Sequence, residues 1–474
     1  MRPNSASPAG TPNKWWVLVA IGVGTFMSAL DGSVVNVVLP VVARAFGAGL
    51  ASIEWVVTVY LLVVSGLLLS FGRLGDLRGH KRLYLAGFGL FLAGSVLCGL
   101  ARSANMLVLF RGLQALGAAM LFANSPAILT KSFSREERGR ALGLQATMTY
   151  LGLTVGPSLG GFLAERFSWR AVFYINVPIV IAAILLSWRF IPADSIHKAD
   201  ESFDPVGALL FTTGLVMLLL ALNQGPAWGW GSPWTLALAA AALGVLAAFL
   251  RVEGGSLSPM LDLGLFRNRI FSASVASATL NYICVYCLIF LMPFYLQQGR
   301  GLSPAEAGGL LTVQPIIMAI VAPLSGSLSD RMPAWVPSTL GMLVLAMGAW
   351  LLSALGPTAS MLQVALGLGV AGLGIGLFVS PNSNALMSSA PVARQGISAG
   401  ILATARNVGM VLGVGLAGAI FSTVLERSAA AGMAQPLFPA ISAAFRAAAV
   451  VALLGGLISA VRGRPPTAPS PSPH

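Results

Sequence analysis

Long apolar runs alternate with short polar segments along the whole 474-residue chain. Each run has about 20 residues or more, the length that a helix needs to cross a bilayer core of roughly 30 Å. Transmembrane strands need only about ten residues and alternate in polarity, which these runs do not. The pattern therefore predicts an all-α polytopic membrane protein with fourteen transmembrane helices. Their predicted starts lie near Trp15, Glu54, Arg82, Met106, Gly139, Arg170, Pro205, Gly231, Ile270, Pro304, Pro337, Met361, Gly396 and Phe438.

The composition also favours a membrane protein. The chain is 56% hydrophobic and 9% charged, with a mean hydropathy of +0.83, whereas soluble domains carry about 25% charged residues. The first run is too long for the core of a signal peptide, and no small-residue cleavage site follows it. We therefore expect the first run to remain as an anchor. The Pro- and Ser-rich tail after Arg464 is typical of disorder.

Topology explains the net charge of +13 better than nucleic-acid binding does. If alternate loops are assigned to the cytoplasm, starting with the N-terminus, the cytoplasmic segments hold nineteen Lys and Arg and the outer loops hold six. Arg111, Arg406 and Arg446 remain within the apolar runs. This bias fits the positive-inside rule. It predicts a multi-pass protein of the plasma or inner membrane with both termini in the cytoplasm and no nucleic-acid partner.

The sequence contains a weak internal repeat. Residues 72–76 (GRLGD) recur as residues 326–330 (GSLSD), and the glycine pattern of the fifth run recurs in the thirteenth at an offset of 257 residues. In both pairs the second member lies eight runs after the first. Two six-helix bundles alone would give a shift of six, so two extra runs lie between the bundles. Duplicated halves that rock about a midplane site are a secondary-transporter design. The predicted organisation is a cytoplasmic segment 1–14, an N-terminal bundle 15–190, two inserted spans with linkers 191–269, a C-terminal bundle 270–461 and a disordered tail 462–474.

Asp31 is the only charged residue between Trp15 and Leu39. An ionised carboxylate inside a span is costly, so an embedded acid is a functional-site hypothesis by default. Burial favours the protonated form, and competition between a proton and a substrate at Asp31 would produce antiport. The alternative is a structural aspartate that bonds to a neighbouring helix.

Six segments of the chain resemble the fourteen-span drug:proton antiporter branch of the major facilitator superfamily. One is the first-span signature, and another is the loop pattern after the second span, in which Leu77 and His80 stand where two arginines are expected. In the first span Ser33 replaces the usual threonine and keeps its hydroxyl. The six segments are residues 30–40 (LDGSVVNVVLP), 72–82 (GRLGDLRGHKR), 107–117 (LVLFRGLQALG), 152–161 (GLTVGPSLGG), 169–178 (WRAVFYINVP) and 295–315 (YLQQGRGLSPAEAGGLLTVQP).

The resemblance implies a role for each of three residue sets, and each set also has a structural reading. Proton coupling is assigned to Asp31 and to Arg111, which could otherwise be a hydrogen-bond hub with Gln114 or Asn124. A cytoplasmic gate latch is assigned to Gly72, Gly75, Asp76, Arg78, Gly79, Lys81 and Arg82, with a reduced copy at Asp330 and Arg331; the alternative is a solvated turn. An antiporter helix-packing motif is assigned to Gly152, Gly156, Pro157, Gly160 and Gly161, whose small residues allow close helix contact and either sliding or static packing.

The predicted function is proton-coupled export of hydrophobic, amphipathic or monocationic small molecules by alternating access, without a cofactor and by a monomer. No second-half acid of the kind found in exporters of divalent cations is visible, so we expect weaker transport of dications. The alternatives are a dedicated exporter of one physiological lipid, metabolite or antibiotic, and a non-transporting membrane sensor. The candidates for lining a substrate cavity, each of which could equally be a packing residue, are Asn36, Gln145, Tyr150, Asn281, Tyr282, Tyr286 and Gln314.

Motifs for other chemistries are misplaced in this sequence. Residues 367–372 match G-x-G-x-x-G but lie in an apolar run with no preceding strand, and residues 396–400 match G-x-S-x-G at the start of a membrane helix. No Gly-Lys pair exists, so a Walker A loop is excluded. Cys284 and Cys287 have no second pair and no nearby histidine, which argues against zinc. We expect neither an enzyme nor a metal site.

Overall fold

The computed structural model describes residues 14–133, 137–193, 204–229, 231–255, 263–329, 332–391 and 395–462. The helices of the first part of the chain are α1 (Lys14–Phe46), α2 (Leu50–Ile53), α3 (Trp55–Arg78), α4 (His80–Leu100), α5 (Ala104–Ser132), α6 (Arg138–Arg166), α7 (Ala171–Tyr174) and α8 (Asn176–Phe190). Two further helices follow, α9 (Pro205–Trp228) and α10 (Pro233–Gly255).

The rest of the chain begins with a 3-10 turn, Leu263–Arg267, and continues with α11 (Arg269–Phe294), which ends in a π-helical turn, Tyr295–Gly299. The remaining helices are α12 (Pro304–Leu311), α13 (Val313–Ser329), α14 (Trp335–Ser353), α15 (Met361–Ser388), α16 (Gln395–Ala430) and α17 (Leu437–Ala460).

The helices confirm the predicted fold class. Within the described residues, 13 helical passes are long and apolar enough to cross a membrane, with α7 joined to α8 and α12 joined to α13. Helix α6, with 29 residues, supplies a further pass of sufficient length. Every pass begins within about two residues of its predicted start, because the apolar runs end where polar caps and turns begin.

Local chemistry explains several helix starts. The Ser103 hydroxyl accepts from the Met106 N–H at the start of α5. Ser303 and Glu306 form a reciprocal capping box at α12, and Ser360 forms one with Gln363 at α15. Gly79, with φ of 101°, makes the sharp turn between α3 and α4 that most L-residues would resist.

The helices pack in two groups. Helices α1–α8, called here the N-terminal half, pack chiefly among themselves. Helices α11–α17, called the C-terminal half, do the same except for α12, which packs chiefly on α6. Helices α9 and α10 pack on each other, and α9 also contacts α3 and α16. We call the end of the bundle at which Lys14 and Ala460 lie the terminal end, and the opposite end the far end. The predicted N-terminal segment before Lys14 and the tail after Arg462 lie outside the described residues.

The internal repeat is visible in equivalent helix contacts. A Cβ added at Gly117 on α5 would lie 2.5 Å from the Gly87 carbonyl on α4. A Cβ added at Gly374 on α15 would lie 2.7 Å from the Gly341 carbonyl on α14. The two pairs are related by nearly the same sequence offset as the repeated motifs. The α4–α5 crossing of the N-terminal half is therefore reproduced by α14–α15 in the C-terminal half.

Candidate functional site

Asp31 lies in the middle of α1, and its side chain is fully buried among helices of the N-terminal half. Arg111 Nη1 donates to its Oδ2 at 2.8 Å. Gln114 Nε2 and Asn176 Nδ2 both donate to its Oδ1, at 3.0 Å and 2.7 Å. The carboxylate thus receives three hydrogen bonds from two neighbouring helices, α5 and α8. It is therefore shielded from lipid and from solvent in this conformation.

Arg111 is held on every side. Besides Asp31, its guanidinium donates to the Val56 carbonyl at 3.2 Å and to Gln114 Oε1 at 2.7 Å. Its Cζ lies 4.1 Å from the centre of the Tyr60 ring, a cation–π distance. Only 2% of its side chain is exposed. The ion pair is therefore part of a network that joins α1, α3 and α5.

Sequence reasoning missed two members of this network. Asn176 begins α8, within a stretch that matched the family but was not assigned to the site. Ser95 on α4 accepts from Gln114 Nε2 at 2.8 Å. Both are buried polar side chains in apolar helices, and this is the signal that could have identified them. They add α4 and α8 to the hydrogen-bond network around Asp31.

The three donors satisfy an ionised carboxylate at Asp31. Buried charges are tolerated when paired and hydrogen-bonded, and the Arg111 guanidinium with two side-chain amides supplies both conditions for an ionised Asp31.

Among the described residues, the position of the C-terminal half that is equivalent to Asp31 carries no charge. A Cβ at Gly156 would contact the Leu30 carbonyl of α1, and a Cβ at Gly413 would contact the Ile283 carbonyl of α11. The residue after each carbonyl is Asp31 in the first half and Cys284 in the second. The repeat therefore places an uncharged thiol where the first half has its carboxylate.

The predicted helix-packing motif of α6 lies against α1 on one side and the C-terminal half on the other. A Cβ at Gly152 would lie 2.5 Å from the Phe26 carbonyl, and a Cβ at Gly160 would lie 3.1 Å from that of Val34. Gly161 faces the first residue of α12, where its Cβ would lie 2.1 Å from the Pro304 carbonyl. Pro157 is approached in the same way by Gly308 of α12. The motif therefore allows backbone-to-backbone contact with both α1 and α12.

The two halves meet through hydrogen bonds in the part of the bundle towards the far end. Gln297 Nε2 donates to the Val37 carbonyl at 2.7 Å. The Ala305 N–H donates to Glu165 Oε2 at 3.1 Å. The hydroxyls of Ser158 and Thr312 are 2.7 Å apart. Together with the Gly161 contact, these bonds close the far end between the halves.

The segment proposed as a gate latch lies at the terminal end. Residues 72–78 form the last two turns of α3, and Gly79 makes the turn into α4. His80 is buried, with Nδ1 2.7 Å from Asn124 Oδ1 of α5, and its Nε2 lies 3.2 Å from the half-exposed Asp76. Lys81 Nζ donates to the Trp188 and Ile191 carbonyls at the end of α8.

The other residues of the predicted latch are placed as follows. Gly72 and Arg78 lie on α3, Gly75 is buried against Asn124, and Arg82 is exposed on α4. Asp330 and Arg331, the predicted reduced copy, lie outside the described residues. The structure therefore joins the first copy of the segment to α5 and α8, all within the N-terminal half.

The predicted cavity residues are dispersed. Asn36 donates back to the Gly32 carbonyl on its own helix at 2.8 Å, and Gln145 donates to Thr25 at 3.2 Å. Asn281 is fully buried and contacts the Met342 sulfur inside the C-terminal half. Gln314 is buried on α13. Tyr150 lies on α6, with its side chain outside the described part.

Tyr282 and Tyr286 form a half-buried pair on one face of α11. The guanidinium of Arg406 on α16, which is also half-buried, lies 5.1 Å from the Tyr282 ring centre. Arg446, by contrast, is exposed on α17, where its long side chain can reach towards a membrane surface. Arg406 therefore adds a positive charge and a flat cation–π pair to the C-terminal half.

Comparisons with known proteins agree with this architecture. The family model described as Major Facilitator Superfamily matches residues 21–414 and, in a second match, residues 274–474. The riboflavin transporter RibZ of Clostridioides difficile (strain 630) is 37% identical, covering 88% of this chain and 89% of that protein. The multidrug resistance protein Stp of Mycobacterium tuberculosis is 35% identical, with 86% and 76% covered.

A more distant relative and a solved structure extend the picture. The tetracenomycin C resistance and export protein of Streptomyces glaucescens is 31% identical over 86% of this chain and 76% of its own length. The crystal structure of a bacterial homologue of the human lysosomal transporter Spinster, inward-facing and unoccupied, covers 96% of this chain and 97% of its own. It superposes with a TM-score of 0.67 at 18% identity, which supports the fold alone. The chain is a multi-pass membrane protein that belongs to the Major Facilitator Superfamily of small-molecule transporters.

Proposed function

We propose that the protein exports hydrophobic, amphipathic or monocationic small molecules across the cell membrane in exchange for protons. In this proposal the terminal end faces the cytoplasm, and the structure represents the state that is open to that side. A proton entering the cell gains about 2.3 kcal/mol per 100 mV of membrane potential. One or two protons could therefore drive the efflux of one substrate.

The observation that carries the proposal is the buried Asp31 carboxylate with its three donors. In the ionised form it is held by Arg111, Gln114 and Asn176. Protonation frees those donors, so α1, α5 and α8 can rearrange. Substrate binding that favours the ionised arrangement would expel the proton, which is the condition for antiport.

The glycine face of α6 and the segment at residues 72–82 are proposed as the moving parts. Gly152, Gly156 and Gly160 allow α6 to shift along α1 without side-chain obstruction. The latch holds the terminal ends of α3, α5 and α8 together through His80 and Lys81. Release of these contacts is proposed to accompany the change between the two open states.

Proton release on substrate addition tests the proposal. Purified protein in weakly buffered detergent solution should release protons when a lipophilic monocation such as tetraphenylphosphonium is added. The Asp31→Asn variant should release none, because an amide cannot ionise. The control is Asp204→Asn, which changes a carboxylate that caps α9 and keeps a good capping residue. Equal release from wild type and Asp31→Asn would remove Asp31 from the mechanism.

A dedicated exporter of one planar aromatic compound is the second candidate. The arginine–tyrosine pair of Arg406 and Tyr282, with Tyr286 on the next turn of α11, suits a flat ring system with an acceptor edge. Relatives named for riboflavin and tetracenomycin C transport fit such a cargo class. Tight, saturable efflux of one planar compound, without competition from lipophilic cations, would favour this candidate over multidrug export.

A further inference from the structure

Glu54 is a second buried acid, and it lies at the closed far end. It immediately precedes α3, and only 7% of the residue is exposed. It also faces the other half of the protein, because a Cβ added at Gly418 of α16 would lie 1.9 Å from its Oε2. The Glu54 carboxyl group therefore occupies space that is free because residue 418 has no side chain.

No charged partner compensates Glu54 within the described residues. Its side chain accepts no capping hydrogen bond from α3, and no described group forms an ion pair or a side-chain hydrogen bond with it. The charged residues at the far ends of α1 and α16 are directed elsewhere. Arg44 on α1 donates to the Pro40 carbonyl, and Glu426 and Arg427 on α16 are exposed. Helix α2 carries no charge.

An ionised carboxylate in this position would be buried without compensation, which is expensive. When the halves separate at the far end, α16 moves away from α3 and water can reach the carboxyl group. The closed state therefore favours a protonated Glu54, and the open state allows ionisation. We propose that Glu54 is a second proton-binding site, which takes up a proton from the far side as the two halves close over it.

The electrostatics of the pocket support this assignment. Burial raises the pKa of Glu54 from 4.5 to about 8. The direction of the pH dependence follows from linkage. Below pH 4.5 the open and the closed state both hold the proton on Glu54, so closure is independent of pH. Between 4.5 and about 8, closure takes up one proton, so the closed state becomes less favourable as the pH rises. Above about 8 the dependence ends. The inference rests on the alternating access proposed above, since it requires a far end that opens.

A distance measurement across the far end tests the inference. Nitroxide labels at Arg102→Cys and Thr358→Cys would report the separation of the halves, since both residues are exposed at that end. The buried Cys98, Cys284 and Cys287 are replaced by Ser or Ala, and Asp31→Asn removes the first coupling site. Between pH 5 and 8 the ratio of closed to open molecules in lipid nanodiscs should fall by up to about tenfold per pH unit.

Variants at Glu54 distinguish the proposal from a general pH effect. Glu54→Gln should remain closed with a flat pH profile, whereas Glu426→Gln, which alters an exposed acid on α16, should keep the profile of the parent. Gly418→Ala should favour the open state at every pH because its methyl group occupies the carboxyl position, and adding Glu54→Ala should restore closure. An unchanged profile in Glu54→Gln would overturn the assignment, as would a profile governed by Na⁺ instead of pH.

The failure of the transport proposal would look different. In that case wild-type protein would release no protons on substrate addition, whatever the behaviour of the far end. If wild type does exchange protons for substrate but the far-end distance is independent of pH, the Glu54 site is wrong and the role of Asp31 stands.

Discussion

Gly156 on α6 lies directly against Ser33 on α1, two residues after Asp31. A Cβ at Gly156 would be 1.7 Å from the Ser33 Oγ, and that hydroxyl donates to the Leu30 carbonyl at 3.1 Å and to the Gly152 carbonyl at 3.3 Å. The hydroxyl thus joins α1 to α6 close to the depth of the Asp31 carboxylate. The glycine motif therefore packs on one face of α1, and Asp31 faces α5 and α8 from another.

Gly156→Ala should therefore damage both stability and transport. Overpacking a close contact costs about 1–3 kcal/mol, which exceeds the helix-propensity gain of up to about 1 kcal/mol for glycine to alanine. The melting temperature in detergent and the initial efflux rate should both fall. Gly89→Ala on α4 is the control, since a Cβ there meets nothing within 4 Å. Equal behaviour of the two variants would show that the α1–α6 contact can adjust freely.

The sequence predicted the fold well because run length alone determines which segments can span a bilayer. It also predicted that Asp31 and Arg111 matter, since each is an isolated charge in an apolar run. It did not predict that the two side chains bond to each other, nor that Asn176 and Ser95 complete the network. Those contacts depend on which face each of α4, α5 and α8 turns towards α1. The hydrophobic periodicity of a single sequence carries little information about that orientation.

Glu54 shows a further limit of the sequence. It lies at the boundary of an apolar run, where exposed acids are common, so nothing in the sequence distinguishes it from a solvated loop residue. Its burial arises from Gly418, more than 350 residues later in the chain.

Arg111→Lys should reduce transport even though it preserves the charge. The guanidinium makes bonds in three directions, to Asp31, Gln114 and the Val56 carbonyl, and stacks on Tyr60. An ammonium group cannot reproduce this planar geometry. Loss of one charge-assisted bond costs about 1.5–3 kcal/mol, so initial efflux rates should fall about ten- to a hundredfold. Arg446→Lys, at an exposed position on α17, should transport normally, and a similar loss in that control would indicate a general defect.

Asn176→Leu should disturb proton exchange more than folding. The substitution removes the 2.7 Å donor to Asp31 Oδ1 and keeps a side chain of similar size. The Asp31 carboxylate then has one donor fewer, so substrate-induced proton release at a given pH should fall severalfold. Ser187→Ala changes another fully buried polar residue of α8, whose Oγ has no hydrogen-bond partner among the described residues. If both variants release protons as wild type does, the Asn176 bond is not part of the exchange.

His80→Arg should impair the protein although it restores the residue that the family pattern expects. His80 is only 2% exposed, and its Nδ1 lies 2.7 Å from Asn124 Oδ1. A longer, permanently charged side chain does not fit this space, which is also bounded by Gly75. Thermal stability should drop by several degrees. Leu77→Arg restores the other expected arginine at a half-exposed position and should be tolerated; the opposite ranking would contradict the buried role of His80.

Arg406 should limit the charge of the substrates that the protein accepts. At about 10 Å and an effective dielectric constant of about 20, one fixed positive charge disfavours each substrate charge by about 1.7 kcal/mol. The efflux rate of a dication should therefore be more than tenfold lower than that of a matched monocation, because the dication carries the penalty twice. In loaded vesicles, wild type should export the monocation of a matched pair faster, and Arg406→Gln should narrow the difference by about tenfold. Arg427→Gln, at an exposed position near the end of the same helix, should leave the preference unchanged. Equal efflux of both cations by wild type would refute the expected discrimination against dications. An unchanged preference in Arg406→Gln would assign that discrimination to other residues.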